Sequence, residues 1–185
     1  MELLECTLAV DDLDAFVADI GAIGDRHGVT IQAFDARYIA DSAHLERAVE
    51  LADRAIGRGE NVARDRAVEI LLYAAGRRQI DRALEMGVDE GEQQAVILID
   101  GGSTGNEGVH GGSNGDPGIA TDSEMAALAD LGELEAVVTT EPTLDTRDDA
   151  TLCAFFDITD AERGATDASL GALVRERVAL LEVAK

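Results

Sequence analysis

The stretch from Val68 to Ala75 constrains this chain most, because Val68, Ile70, Leu71, Leu72, Tyr73, Ala74 and Ala75 leave a helix no polar face after Glu69. Such a helix must be covered on most sides, by its own protein or by a partner. Gly76 follows, and a residue without a β-carbon suits the left-handed position that ends a helix. Beyond it Ile80, Ala83, Leu84 and Gly87 recur at i, i+3, i+4 and i+7, which predicts a second short helix with one buried stripe. Arg77 and Arg78 then fall at a helix–helix corner, a place suited to binding.

The rest of the chain is acidic. Its 38 acidic and 15 basic residues give a formal charge of -23 over 185 residues, and the single lysine is Lys185. The acids are dispersed, which argues against a block-charged mimic of nucleic acid and for a salt-accumulating halophilic origin, where screening removes the self-repulsion. One window resists the trend. Residues 47–82 hold eight arginines against six acids, leaving seven basic and 32 acidic residues elsewhere. Arginine offers the planar donor fork that phosphate prefers, so an anion-binding surface is expected here, with Arg54, Arg58, Arg77, Arg78 and Arg82 as its candidates. Arginines that simply pair with the six local acids are the alternative.

The length fits one domain, 1–185. Glu2 to Ala9 reads as a strand, Asp11-Asp12 as a helix start, and Leu13, Phe16, Val17, Ile20 and Ile23 as one helical face ending at Gly28. Val29 to Ala36 predicts a second strand. Ser42 is expected to cap a helix with Leu45, Ala48, Val49, Ala52 and Ile56 inside. Ala95 to Ile99, apolar throughout, predicts a central strand buried on both faces. Residues 100–119, rich in glycine, read as a flexible loop without a P-loop ending. Asp122 or Ser123 is expected to open a helix, Leu134 to Thr139 to form a strand, Arg147 to Phe156 a helix, and Asp167 or Ser169 to open the last helix. The order predicts an α+β fold, a mixed sheet with antiparallel pairs flanked by several helices.

Catalytic chemistry is hard to find in these residues. His27, His44 and His110 lie at unrelated spacings, Cys6 and Cys153 form no metal or redox motif, and any carboxylate pair in so acidic a chain reads as solvated surface. The chain is expected to be no enzyme and to need no cofactor or metal. Met1 to Glu5 lacks the basic start of a signal peptide and no run is long enough to span a bilayer, so a cytoplasmic protein without membrane contact is expected.

The helix with His44-Leu45, Ala48, Ala52 and Ala55, then Glu69-Ile70-Leu71-Leu72-Tyr73, Gly76, Gln79-Ile80, Ala83 and Gly87-Val88, together resemble one family. It is the small kinase-binding subunit of the KEOPS tRNA-modifying complex, called PRPK-binding protein in animals. Phe156-Asp157-Ile158-Thr159 and Arg177 to Val183 are similar to its closing segment, while the glycine-rich loop has no counterpart. The resemblance implies an accessory subunit that regulates the KEOPS kinase and, through it, contacts the threonylcarbamoyl-transferase subunit. It also implies binding of the tRNA 3' CCA end for modification of the adenosine beside the anticodon. Gly76, Arg78, Gln79 and Ile80 match the family's corner motif, with Arg77 extending its charge. For the kinase, the apolar candidates are Leu72, Tyr73, Ile80, Leu84, Val174 and Val178. Two other readings stay open: a small-molecule enzyme using the glycine-rich loop as a phosphate cradle, and an acidic structural adaptor without RNA contact.

Overall fold

The computed structural model of the chain describes residues 1–102, 117–146 and 148–183. Strand β1 (Glu2–Val10) leads into helix α1 (Leu13–His27), whose start is capped by the Asp12 carboxylate accepting from the Ala15 N–H at 2.9 Å. Gly28, at φ 65°, ends α1 and turns the chain into β2 (Thr30–Asp35). Helix α2 (Ser42–Arg58), α3 (Arg66–Ala74) and the four-residue α4 (Ile80–Ala83) follow, before the long β3 (Gly91–Asp100). The second half supplies α5 (Pro117–Gly132), β4 (Val137–Thr140), α6 (Asp149–Phe155), α7 (Asp160–Ala165) and α8 (Leu170–Val183).

The strands form one sheet in the order β2-β3-β1-β4, an α+β fold. Every pairing is antiparallel, with Leu4 opposite Ile97 in β1–β3 and Ala33 opposite Ile97 in β2–β3. The expected mixed sheet is therefore corrected: β1 and β2 run the same way, but β3 lies between them, so no parallel pair forms. This is the split β-α-β arrangement.

Both faces of the sheet are covered at β3, while the edge strand β4 is largely exposed. Cys6, Leu8, Ile31, Ala95, Ile97 and Ile99 face α1 and α5, where Phe16, Ile20, Ile23, Ala127 and Leu131 meet them. Phe34, Val96 and Leu98 face the opposite layer, built from α2, α3 and α8. That double burial is why Ala95 to Ile99 needs no polar residue. Burial also pushes the Cys6 thiol up to about 12, leaving it a protonated part of the core.

Several local expectations shift. Asp41, not Ser42, caps α2, its carboxylate accepting from the His44 N–H at 2.8 Å. Ile56 and Val17 stand outside the core, 37% and 53% exposed. Helix α5 begins at Pro117, upstream of Asp122 and Ser123. Ser169 does open α8, its hydroxyl accepting from the Ala172 N–H at 3.2 Å. The flexible loop expected over 100–119 lies mostly outside the described residues. Its entry is held, with Asp100 Oδ1 accepting from Gly102 N–H at 2.8 Å and Glu124 Oε1 from Gly101 N–H at 2.9 Å. No helix among the described residues is long and apolar enough to cross a membrane.

Candidate nucleic-acid interface

Helix α3 starts at Asp65, whose carboxylate accepts from the Val68 N–H, and its apolar sides are covered by the protein itself. Ile70, Leu71, Leu72, Tyr73, Ala74 and Ala75 are all buried against α2, α8 and the sheet. The lone acid, Glu69, is buried too. Its carboxylate accepts from the N–H groups of Val62 and Ala63 at 3.0 and 2.8 Å, fixing the α2–α3 connection. The helix ends at Gly76, φ 60°, with Arg77 N–H donating to Leu72 O and Gly76 N–H to Tyr73 O, the two bonds of a Schellman turn. A β-carbon on Gly76 would also sit 3.4 Å from the Arg177 carbonyl, because α8 passes directly behind the corner.

The two corner arginines do different things. Arg77 turns inward: its Nη2 donates to Phe155 O at 2.5 Å and to Asp157 at 3.1 Å, and its guanidinium lies 5.7 Å from the centre of the Phe155 ring. Asp157 holds this partner from a left-handed backbone, φ 54°, a conformation that aspartate tolerates better than most side chains. Arg78 is exposed, and its Nη2 donates to Leu181 O at 3.2 Å, on the closing turn of α8. A cation there complements the negative end of the helix dipole.

Beside the corner lies a cleft of about 320 Å³ lined by Arg77, Gln79, Arg82, Glu85, Phe155 and Asp157. Gln79 stands just before α4 and makes no capping bond. Arg82 pairs with Glu85 at 3.0 Å on an open surface, an ion pair worth little in water. The cleft thus presents guanidinium groups, a carboxamide and the edge of an aromatic cluster, in which Phe155 meets Tyr38 and Phe156 edge to face at 5.0 Å each. Such a set can hold a phosphate and cover a base.

The sequence candidates separate clearly in space. Arg77, Gln79 and Arg82 share the cleft, with exposed Arg78 and Ile80 adjoining it along the chain. Arg54 and Arg58 lie on α2 and do not line it; Arg54 pairs with Glu50 at 2.6 Å. A shallow neighbouring depression joins Arg77 and Arg78 to Glu60 and Val62, just past Arg58. Local pairing therefore accounts for part of the arginine excess. Arg66, for instance, is held by Asp53 at 2.7 Å and Asp100 at 2.6 Å; burial alone would lower its pKa, and these two acids raise it.

Four of the six apolar candidates are corrected as contact surface. Leu72, Tyr73, Val174 and Val178 are buried between α2, α3 and α8 and have no side chain to offer a partner. Ile80 and Leu84 remain outside, 43% and 55% exposed. The stripe expected across Ile80, Ala83, Leu84 and Gly87 fails because α4 stops after one turn. A 3-10 turn over Leu84–Met86 continues it, and Ala83, Met86 and Val88 are the residues that bury. Phe155, Asp157 and Glu85 were missed as cleft residues. Two neighbouring phenylalanines in an aromatic-poor chain are the available signal for Phe155; Asp157 stands in the segment that resembles the family's closing part, but no local pattern marks it as a partner of Arg77.

Fold and cleft together describe an α+β module with a polar cleft beside an arginine corner. A family model described as kinase binding protein CGI-121 matches residues 18–182, and the chain belongs to that family. Among individually curated proteins, none matches it.

Proposed function

We propose that this chain is a non-catalytic accessory subunit of the KEOPS complex, binding and regulating its kinase and receiving the 3' CCA end of tRNA at the arginine corner. Membership of a kinase-binding family supports the first half of this reading. The observation that carries the second is the cleft at the end of α3, where Arg77, Arg82 and Gln79 converge beside the partly buried Phe155 ring. A single-stranded 3' end fits such a site, because its unstacked bases expose faces to an aromatic ring and its phosphates take charge-assisted bonds. Threonylcarbamoyl transfer itself is assigned to the complex's other subunits. A cytoplasmic location and a halophilic source belong to the same proposal, resting on composition.

The test combines two measurements in molar potassium chloride. Native co-purification is expected to bring down a kinase and a threonylcarbamoyl-transferase subunit. Intact tRNA is expected to bind more tightly than tRNA trimmed of CCA. Equal affinity for the two RNAs overturns the 3'-end assignment, and a lone protein in the eluate overturns the KEOPS assignment.

A further inference from the structure

The cleft beside the arginine corner is electrically balanced. Its walls carry two guanidinium groups, Arg77 and Arg82, and two carboxylates, Asp157 and Glu85. Each cation already holds one of the acids, Arg77 donating to Asp157 at 3.1 Å and Arg82 to Glu85 at 3.0 Å. An anion that enters this cleft therefore meets arginines whose donors are in use.

Neither charge serves the backbone that carries it. Asp157 follows the end of α6, where a carboxylate stands against the negative end of the helix dipole, and its left-handed conformation, φ 54°, suits asparagine or glycine as well. Glu85 sits in the 3-10 turn Leu84–Met86, whose closing bond runs from the Gly87 N–H to the Leu84 carbonyl and makes no use of the side chain. Both carboxylates are open to water, Asp157 at 76% and Glu85 at 46%, so the two pairs add little to stability and separate at little cost.

We infer that Asp157 and Glu85 stand in for RNA phosphate, holding the two arginines until a strand displaces them, and that this exchange flattens the dependence of RNA binding on salt; the inference rests on the RNA reading above. The ion balance carries it. A strand that gives a phosphate to an arginine sheds a condensed cation, and at an open basic site that release makes affinity fall as salt rises. Here each arriving phosphate also frees a carboxylate, which gathers a cation from solution. One cation leaves the RNA and one joins the protein, so the net release approaches zero. Chloride gains nothing from the exchange, since it must open a pair and brings no second contact. A strand adds further phosphates and a base to cover the Phe155 ring, so the two acids make the cleft selective for a strand over single anions.

Fluorescence anisotropy of a labelled single-stranded RNA ending in CCA, titrated with the full chain at a series of potassium chloride concentrations up to molar, tests this with Glu85→Gln and Asp157→Asn. Each variant should bind about threefold more tightly at the lowest salt. The slope of log affinity against log salt should steepen by about 0.7 for each carboxylate removed, and the double variant should show both steps. Melting temperatures should stay close to that of the unaltered protein; Glu85→Ala and Asp157→Gly replace any variant that fails to fold. Glu92→Gln, which neutralises an exposed acid outside the cleft, is the control for net charge and should alter neither quantity. Unchanged slopes in the cleft variants, weaker binding, or an equal gain from Glu92→Gln overturn the inference while the RNA reading stands. Failure of the unaltered chain and of every variant to bind the RNA overturns the RNA reading itself, and this inference with it.

Discussion

His44 and Ala74 are joined across 30 positions by one buried hydrogen bond, His44 Nε2–H donating to the Ala74 carbonyl at 2.8 Å. The other ring nitrogen, Nδ1, accepts from Ala40 N–H at 3.3 Å, which places the proton on Nε2 and leaves the imidazole neutral. Its ring also meets Phe156 edge to face at 5.6 Å. One side chain thus ties the start of α2 to the residue that precedes the corner turn.

The first prediction concerns acid. Burial lowers the His44 pKa from 6.5 to about 4. Above about pH 6.5 both states hold a neutral ring and the full stability is present. Between 6.5 and 4 the unfolded chain takes up a proton that the folded chain refuses, so stability falls, by roughly 3 kcal/mol once pH passes below 4. Urea unfolding at a series of pH values should show this slope, and His44→Gln should flatten it between pH 6 and 4.5. An unchanged slope in that variant would assign the acid sensitivity to carboxylates instead.

Arg77 and Arg78 should separate in mutation. Arg77→Glu removes a donor from Phe155 O and places a carboxylate beside Asp157, so the fold should lose roughly 1 to 2 kcal/mol along with RNA affinity. Arg78→Glu should leave the melting temperature nearly unchanged while weakening RNA binding about tenfold. Equal thermal losses in the two would contradict the inward role of Arg77.

Gly171 should not accept a side chain. A β-carbon there would collide with the Asp41 carboxylate, which caps α2 and also pairs with Arg175 at 2.7 Å. Gly171→Ala is expected to cost roughly 1 to 3 kcal/mol by thermal denaturation. Gly132→Ala, with open space around it, is the control and should cost far less.

Salt should stabilise the fold. With a charge of -23, the melting temperature should climb steadily from dilute to molar potassium chloride, where the screening length falls to about 3 Å. A flat profile would remove the argument for a halophilic source.

The sequence revealed elements whose environment is uniform. Ala95 to Ile99 reads as a central strand because both of its neighbours are apolar layers, and Gly76 reads as a helix end because the left-handed turn favours glycine. It concealed whatever depends on geometry finer than one turn. Ile80 and Leu84 look like a buried stripe at helical spacing, yet α4 gives way to a 3-10 turn at Leu84, and Ala83, Met86 and Val88 are the residues that bury. Counting arginines located the basic window but not the division of labour inside it. Arg66 is drawn to Asp53 and Asp100, the latter 34 positions away, and Arg77 to Asp157, 80 positions away. Distances of that kind come from the path of the chain, which local pattern does not encode.

Helix α8 gives the corner a place in time. Arg78 meets Leu181, 103 positions later, Gly76 lies against Arg177, and Asp41 is clasped by Arg175, 134 positions on. During synthesis these partners arrive long after α3 has left the ribosome, and until then one side of α3 lacks its cover. The corner therefore assembles among the last parts of the molecule, so a chain interrupted before residue 170 would carry every arginine of the site and still lack the site itself.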